Sequence, residues 1–217
     1  VKALVVFDCD STLASIEGID ELAERKGAGR RIAELTRAAM EGQTALEDVY
    51  GRRLEIIRPG REDLAWLGGR YRETLVAGAG EAVAALAAAG AEIHIVSGGL
   101  QPAVEILAAD LGLAPARVHA VGVSFAADGR YRSFAAASPL ARSGGKTAVV
   151  RGLVRPGIPA FMIGDGVTDL EAAAAGAVVI GFGGVVARPA VMTQADHFVA
   201  GPSLTAVADL ILRLAGT

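Results

Sequence analysis

Apolar residues fall into short unbroken runs separated by longer stretches of helical spacing. Five runs have strand character: 3–7, 91–96, 159–163, 177–182 and 197–199. They are continuous rather than alternating, as expected of strands buried on both faces of a parallel sheet. Helical patterns over 79–89, 100–112, 145–154, 168–175 and 203–214 lie between them. This alternation predicts an α/β fold with a doubly wound, Rossmann-like parallel sheet. Thr168 to Glu171 (TDLE) reads as a capping box at a helix start.

Two stretches break the rhythm. Residues 15–75 hold no good strand but carry helical patterns at 17–26, 29–41, 44–57 and 61–72, with a second capping-box signal at Thr44 to Glu47. This block predicts a helical cap inserted after the first strand, so that 1–14 and 76–217 form the core domain and 15–75 the cap. The second break, 118–134, places Asp128-Gly129 between β-forming residues and predicts a small β-hairpin insertion.

Composition narrows the function. The 217-residue chain is 52% hydrophobic with a net charge of −3, enough apolar material for a sizeable core. It lacks the clustered basic residues that a nucleic-acid footprint needs. The longest uncharged stretch, Ala172 to Ala187, is broken by glycines, so no membrane partner is expected. With one cysteine and no signal-peptide pattern, a cytoplasmic location is the expectation. Only Lys2, Lys26 and Lys146 are lysines among 21 basic residues, which draws attention to Lys146.

Polar chemistry gathers where strands end. The first runs into Asp8-Cys9-Asp10, the second into Ser97-Gly98-Gly99, the third into Gly164-Asp165-Gly166 and the fourth into Gly183-Gly184. Ligands of open parallel sheets bind beyond the carboxyl ends of the strands, so these groups are expected to converge. In an extended chain Asp8 and Asp10 project to one side and Cys9 to the other, where it fills core. Adjacent carboxylates repel unless a cation lies between them, and a hard cation such as Mg²⁺ suits oxygen donors. Asp165 is a further oxygen donor, and Asp169 supports it or binds directly. The Ser97-Gly98-Gly99 amides precede a helix and suit a phosphate, while Gly144-Gly145-Lys146 opens another helix with a fixed positive charge. The Walker A spacing fails because position 140 is Leu, and His94, His119 and His197 have no zinc-ligand spacing.

Asp-x-Asp-x-Thr (Asp8, Asp10, Thr12), a serine after the second strand, a lysine and Gly-Asp-Gly-x-Thr-Asp together resemble the haloacid-dehalogenase superfamily of phosphotransferases. The blocks "DCDSTLASIEGIDELAERKG", "AAMEGQTALEDVYGRRL", "IVSGGL", "ARSGGKTAVV", "MIGDGVTDLEAA" and "IGFGG" resemble its phosphoserine phosphatase family over nearly the whole chain. The resemblance implies Mg²⁺-dependent hydrolysis of O-phospho-L-serine, a step of L-serine biosynthesis, through an aspartyl-phosphate on Asp8. Asp10 would be the acid and then the base. Asp8, the Asp10 backbone carbonyl and Asp165 would hold Mg²⁺, with Asp169, Thr168 and Thr12 in support. Ser97, Gly98, Gly99 and Lys146 would hold the phosphoryl group. Glu17 would bind the substrate ammonium and Arg53 its carboxylate, with Met40 and Leu46 as apolar cap residues. Arg52 is adjacent to Arg53, so that assignment depends on the alignment. Hinges are expected near 13–18 and 74–80, at Gly18, Gly78 and Gly80. The partner is a small-molecule phosphomonoester, and the oligomeric state stays open between monomer and homodimer. Two other readings also stay open: phosphotransfer to an acceptor such as homoserine or hydrolysis of pyrophosphate, and a non-catalytic phosphate- or partner-binding protein.

Overall fold

A computed structural model describes residues 1–40 and 46–216, with side chains described outside 36–47. The capping-box signal at Thr44–Glu47 and the cap positions Met40 and Leu46 therefore lie outside the described side chains.

The chain opens with β1 (Leu4–Phe7), followed by α1 (Gly18–Arg25), α2 (Gly29–Met40), α3 (Leu46–Ile57) and α4 (Arg61–Glu73). The chain continues with α5 (Ala79–Ala88), β2 (Glu92–Leu100), α6 (Gln101–Asp110) and β3 (Val118–Val121). A hairpin of β4 (Val123–Phe125) and β5 (Tyr131–Phe134) precedes α7 (Gly145–Leu153) and β6 (Ala160–Gly164). The last elements are α8 (Val167–Leu170), β7 (Val178–Phe182), α9 (Pro189–Gln194), β8 (His197–Val199) and α10 (Thr205–Ala215).

Six parallel strands form one sheet in the order β3-β2-β1-β6-β7-β8. Every residue of β1 and β6 is buried. Successive strand side chains point to opposite faces, so these two strands must be covered on both sides. Each fully buried Val, Leu, Ile or Phe there contributes roughly 1.5–3 kcal/mol relative to exposure. The central position of β1 delivers Asp8 to the middle of the sheet edge.

Two expectations need correction. Residues 118–121 are not part of the hairpin: they are β3, an edge strand pairing in parallel with β2, as Ile95 with Val118 shows. Only Val123–Phe125 and Tyr131–Phe134 form the hairpin, with Gly129 at φ +82° in its loop. A short run such as Val118 to Val121 beside a hairpin looks alike whichever sheet it joins, so pattern cannot separate the two. The second correction concerns the 168–175 helix. It starts one residue earlier, at Val167, and the acid that caps it is Asp169, whose Oδ2 accepts from Gly166 N–H at 2.9 Å. The chain from Glu171 to Ala175 tightens into a 3₁₀ turn, and Glu171 instead accepts from Gly144 N–H at 2.9 Å.

The two connections between the sheet and the α1–α4 helices run side by side. Ala14 bridges Leu75, Ser15 N–H donates to the Thr74 carbonyl at 2.8 Å, and Val76 N–H donates to the Leu13 carbonyl at 2.9 Å. Of the helices α1–α4, α4 is seated on α6. At Gly68 a Cβ would lie 2.5 Å from Ile106, so glycine permits that approach.

Candidate active site

Beyond the carboxyl ends of β1, β2 and β6, a cavity of about 450 Å³ is roofed by residues of α1, α3 and α4. It brings together residues far apart in the chain. From the first strand end come Asp8 and Asp10, and from the second Ser97, Gly98 and Gly99. Lys146 enters from the start of α7, with Asp165 and Thr168 from the β6 end. Glu17 enters from the start of α1 and Arg53 from α3. Thr12 and Asp169 stand behind this wall, both fully buried. Thr12 Oγ1 has no hydrogen-bond partner among the described residues.

The β1 end turns sharply. The Cys9 carbonyl accepts from the N–H groups of Thr12, Leu13 and Ala14, and Ser11 adopts φ +51°. Asp8 is fixed at both oxygens: Oδ1 accepts from Cys9 N–H at 2.7 Å, and Oδ2 meets Lys146 Nζ at 2.6 Å. Cys9 is fully buried, and burial, with Asp10 and Asp8 adding to it, pushes its thiol well above the usual range. It is the core filler expected.

Lys146 is buried yet bridges Asp8 Oδ2 and Asp169 Oδ1, each at 2.6 Å. Burial opposes its charge, but the two carboxylates outweigh burial and raise its pKa. Removing one member of such a buried ion set costs about 3–5 kcal/mol because the remaining charge is stranded. Burial likewise pushes the Asp169 carboxyl up, with Lys146 opposing. A Cβ at position 164 would meet the Asp169 carboxylate at 2.1 Å, which explains the glycine.

Asp10 Oδ1 accepts from Gly18 N–H at 2.8 Å and from the Tyr71 hydroxyl at 2.7 Å. Burial first, then Glu17 and Asp8, pushes its carboxyl up to about 7. That range suits a group that gives and later takes a proton near neutrality. At the glycine loop, Gly99 N–H donates to Ser97 Oγ at 3.0 Å, and the Tyr50 hydroxyl donates to the Gly98 carbonyl at 2.8 Å.

Glu17 sits at the N-cap of α1, yet its side chain makes no capping bond there. Its Oε1 accepts instead from Ser11 Oγ at 2.7 Å, and burial pushes its carboxyl up. Arg53 faces the cavity, where burial lowers its pKa, whereas the exposed Arg52 lines a separate outer groove with Glu55. Among the lining residues that escaped the sequence reading are Arg188, Tyr50 and Tyr71. Arg188 Nε donates to Asp165 Oδ2 at 2.8 Å, and its Nη2 lies 3.6 Å from Glu17 Oε1. Its only signal was its place as the first charge after the uncharged 172–187 stretch. Tyr50 and Tyr71 carried no signal, because a helical tyrosine with apolar neighbours reads as packing.

Asp8, Asp165 and Asp169 each present an oxygen within 4.8 Å of the others. Buried carboxylates this close fit a hard divalent cation, which takes oxygen donors and offsets their mutual repulsion.

The family model for haloacid dehalogenase-like hydrolases matches residues 2–176, and the chain belongs to that family. Within it, the relatives of this chain include phosphoserine phosphatases. The Drosophila melanogaster phosphoserine phosphatase is 38% identical over 199 residues, covering 90% of this chain and 74% of that protein. A substrate-bound phosphoserine phosphatase complex superposes with a TM-score of 0.79 at 25% identity, over 99% of this chain and 98% of the other. A phospho-aspartyl intermediate analogue of phosphoserine phosphatase gives 0.75 at 25% identity, over 98% of each chain.

Proposed function

We propose that this chain hydrolyses O-phospho-L-serine to L-serine and phosphate, with Asp8 as nucleophile and Asp10 as acid and base. The observation that carries this reading is the pairing of two differently held carboxylates in one cavity. Asp8 has both oxygens fixed, one of them on an ammonium, while Asp10 has both donors on one oxygen. An ionised Asp8 oxygen attacks phosphorus as the bond to the serine oxygen breaks, and Asp10 gives its proton to that oxygen. Serine leaves. Asp10 then takes a proton from water, the water oxygen attacks phosphorus, and the bond to Asp8 breaks to release phosphate. Lys146, Ser97 and the amides of Gly98 and Gly99 hold phosphoryl oxygens, since phosphoryl transfer depends mainly on positioning and charge.

The residues suit Mg²⁺, held by Asp8, Asp165 and the Asp10 backbone carbonyl, which when bound neutralises phosphoryl charge. Each Asp169 oxygen already accepts a hydrogen bond, from Lys146 and from Gly166, which favours a supporting role. Thr168 on the cavity wall and the buried Thr12 are support as well. Glu17 takes the substrate ammonium and Arg53 its carboxylate, a pairing a guanidinium makes in a bidentate way. The proposed core is 1–14 with 76–217, the cap is 15–75, and the setting is cytoplasmic. No helix among the described residues is long and apolar enough to cross a membrane.

The test is a phosphomonoester panel with and without Mg²⁺. Phosphoserine should be preferred over phosphoethanolamine, which lacks the carboxylate, and Arg53→Ala should abolish that preference by raising KM about 10-fold or more. Equal turnover of the two esters by the unaltered protein would sink the substrate assignment. A preference that survives Arg53→Ala would remove Arg53 from it.

A further inference from the structure

Asp10 must deliver its proton from one particular oxygen, and the cap supplies a group that selects it. Tyr71 lies in the last turns of α4 and is fully buried. Its hydroxyl donates to Asp10 Oδ1 at 2.7 Å, and Gly18 N–H donates to the same oxygen at 2.8 Å. The other oxygen, Oδ2, lies 3.4 Å from where a Cβ would stand on Gly99, so it faces the glycine loop assigned to the phosphoryl group. The approach of Tyr71 depends on Gly18. A Cβ there would lie 2.1 Å from the Tyr71 hydroxyl, so only a residue without a side chain lets the phenol pass.

We propose that Tyr71 is a positioning residue for the leaving-group proton, holding Asp10 Oδ1 so that Oδ2 is the oxygen that carries the proton. The physical reason is the donor count. An oxygen that already accepts an N–H and an O–H has no favourable place for a proton of its own, because the proton would point at two donors. The carboxyl proton therefore resides on Oδ2, on the side of the serine oxygen. Without the phenol, the single Gly18 bond lets the carboxyl turn over and place the proton on either oxygen. Proton transfer by a positioned acid is worth about 10²–10⁴ in rate, so misplacing the proton removes part of that factor. Because α4 is seated on α6, the hydroxyl is held by the core as well as by the cap.

This inference rests on the reading of Asp10 as the acid, and the experiment separates the two. Tyr71→Phe keeps the ring and deletes only the hydroxyl. It is compared with the unaltered protein on O-phospho-L-serine and on phosphate esters running from ethyl through trifluoroethyl to nitrophenyl phosphate. The ratio of kcat/KM, variant to parent, should fall about 10-fold for phosphoserine and ethyl phosphate, whose alkoxides need a proton to leave. It should approach unity for nitrophenyl phosphate, whose leaving group departs unprotonated. With phosphoserine kcat should fall while KM holds. Each comparison uses one preparation, so a smaller folded fraction would lower all esters alike and leave the trend intact. A ratio that is the same for every ester, or a change confined to KM, would overturn the role of Tyr71. Asp10→Asn tells the two ideas apart. If it keeps phosphoserine turnover, the acid reading fails and this inference with it. If it loses turnover while Tyr71→Phe shows no leaving-group trend, only the role of Tyr71 fails.

Discussion

Strand β2 carries an ionisable cluster at each end, and the two are built differently. At the amino end, Glu92 accepts from Arg117 and meets Arg155 at 3.1 Å and His94 Nε2 at 3.1 Å. His94 Nδ1 lies 2.9 Å from His119 Nε2, their rings stacked 5.1 Å apart. Here an acid is matched by cations, and neither histidine lines the cavity. At the carboxyl end, Asp8, Asp10, Glu17, Asp165 and Glu171 line one open space with Lys146, Arg53, Arg142 and Arg188, and Asp169 is buried behind them. Both clusters shift titration, since burial lowers both imidazoles and raises Asp10. Perturbed titration therefore does not by itself mark the site; unmatched carboxylates beside a cavity do.

The sharpest way to break this contrast is to remove the proposed nucleophile. Asp8→Asn should lower phosphoserine turnover by about 10³-fold or more, while the protein stays folded. Turnover left intact would move the reaction away from the carboxyl end of the sheet.

Next in size is the effect of pH and metal on stability. Asp10 titrates higher in the folded chain than its ordinary value of 3.8, at about 7. Its contribution is present at low pH and is lost as pH rises through the folded value, where burial penalises the charge. Without divalent metal, Tm should fall by about 3–5 °C between pH 6 and pH 8, and Mg²⁺ should restore most of it. A metal-free Tm that rises over that range would refute the excess of buried acid.

The smallest effect belongs to the amino end, with the opposite sign. Imidazoles held low in the folded chain stabilise it fully above their unfolded value of about 6.5 and lose that contribution as pH falls. His119→Gln should leave kcat within about twofold and flatten the decline of Tm between pH 7 and pH 5 by about 2 °C relative to the parent. A large loss of kcat would show that the two ends are coupled.

Much of the site could be read from the chain because strand ends are local. An apolar run that stops at Asp8-Cys9-Asp10 or at Gly164-Asp165-Gly166 marks both the strand and the chemistry on its edge. Lys146 was legible for a similar reason, since two glycines place it at a helix start, with Gly144 at φ +73°. The start of α8 was not, because Thr168 and Asp169 both suit a cap, and the choice fell to the backbone that Asp169 could reach. The assignment of 118–121 to the main sheet was equally hidden, because pairing with β2 is a non-local event.

By itself the sequence determined the alternation of buried strands and helices, the inserted helical block and the acids, serine and lysine at the strand ends. Apolar periodicity and turn chemistry act over a few residues, so they are written locally. Only the tertiary structure decided which neighbour enters the cavity and which side chains meet. Arg53 and Arg52 differ by one position on α3, yet one faces the cavity and the other the outside, because a helix turns about 100° per residue. Tyr71 reaches Asp10, and Arg188 reaches Asp165, only because the packing of α4 and the loop after β7 closes distances that no local pattern spans.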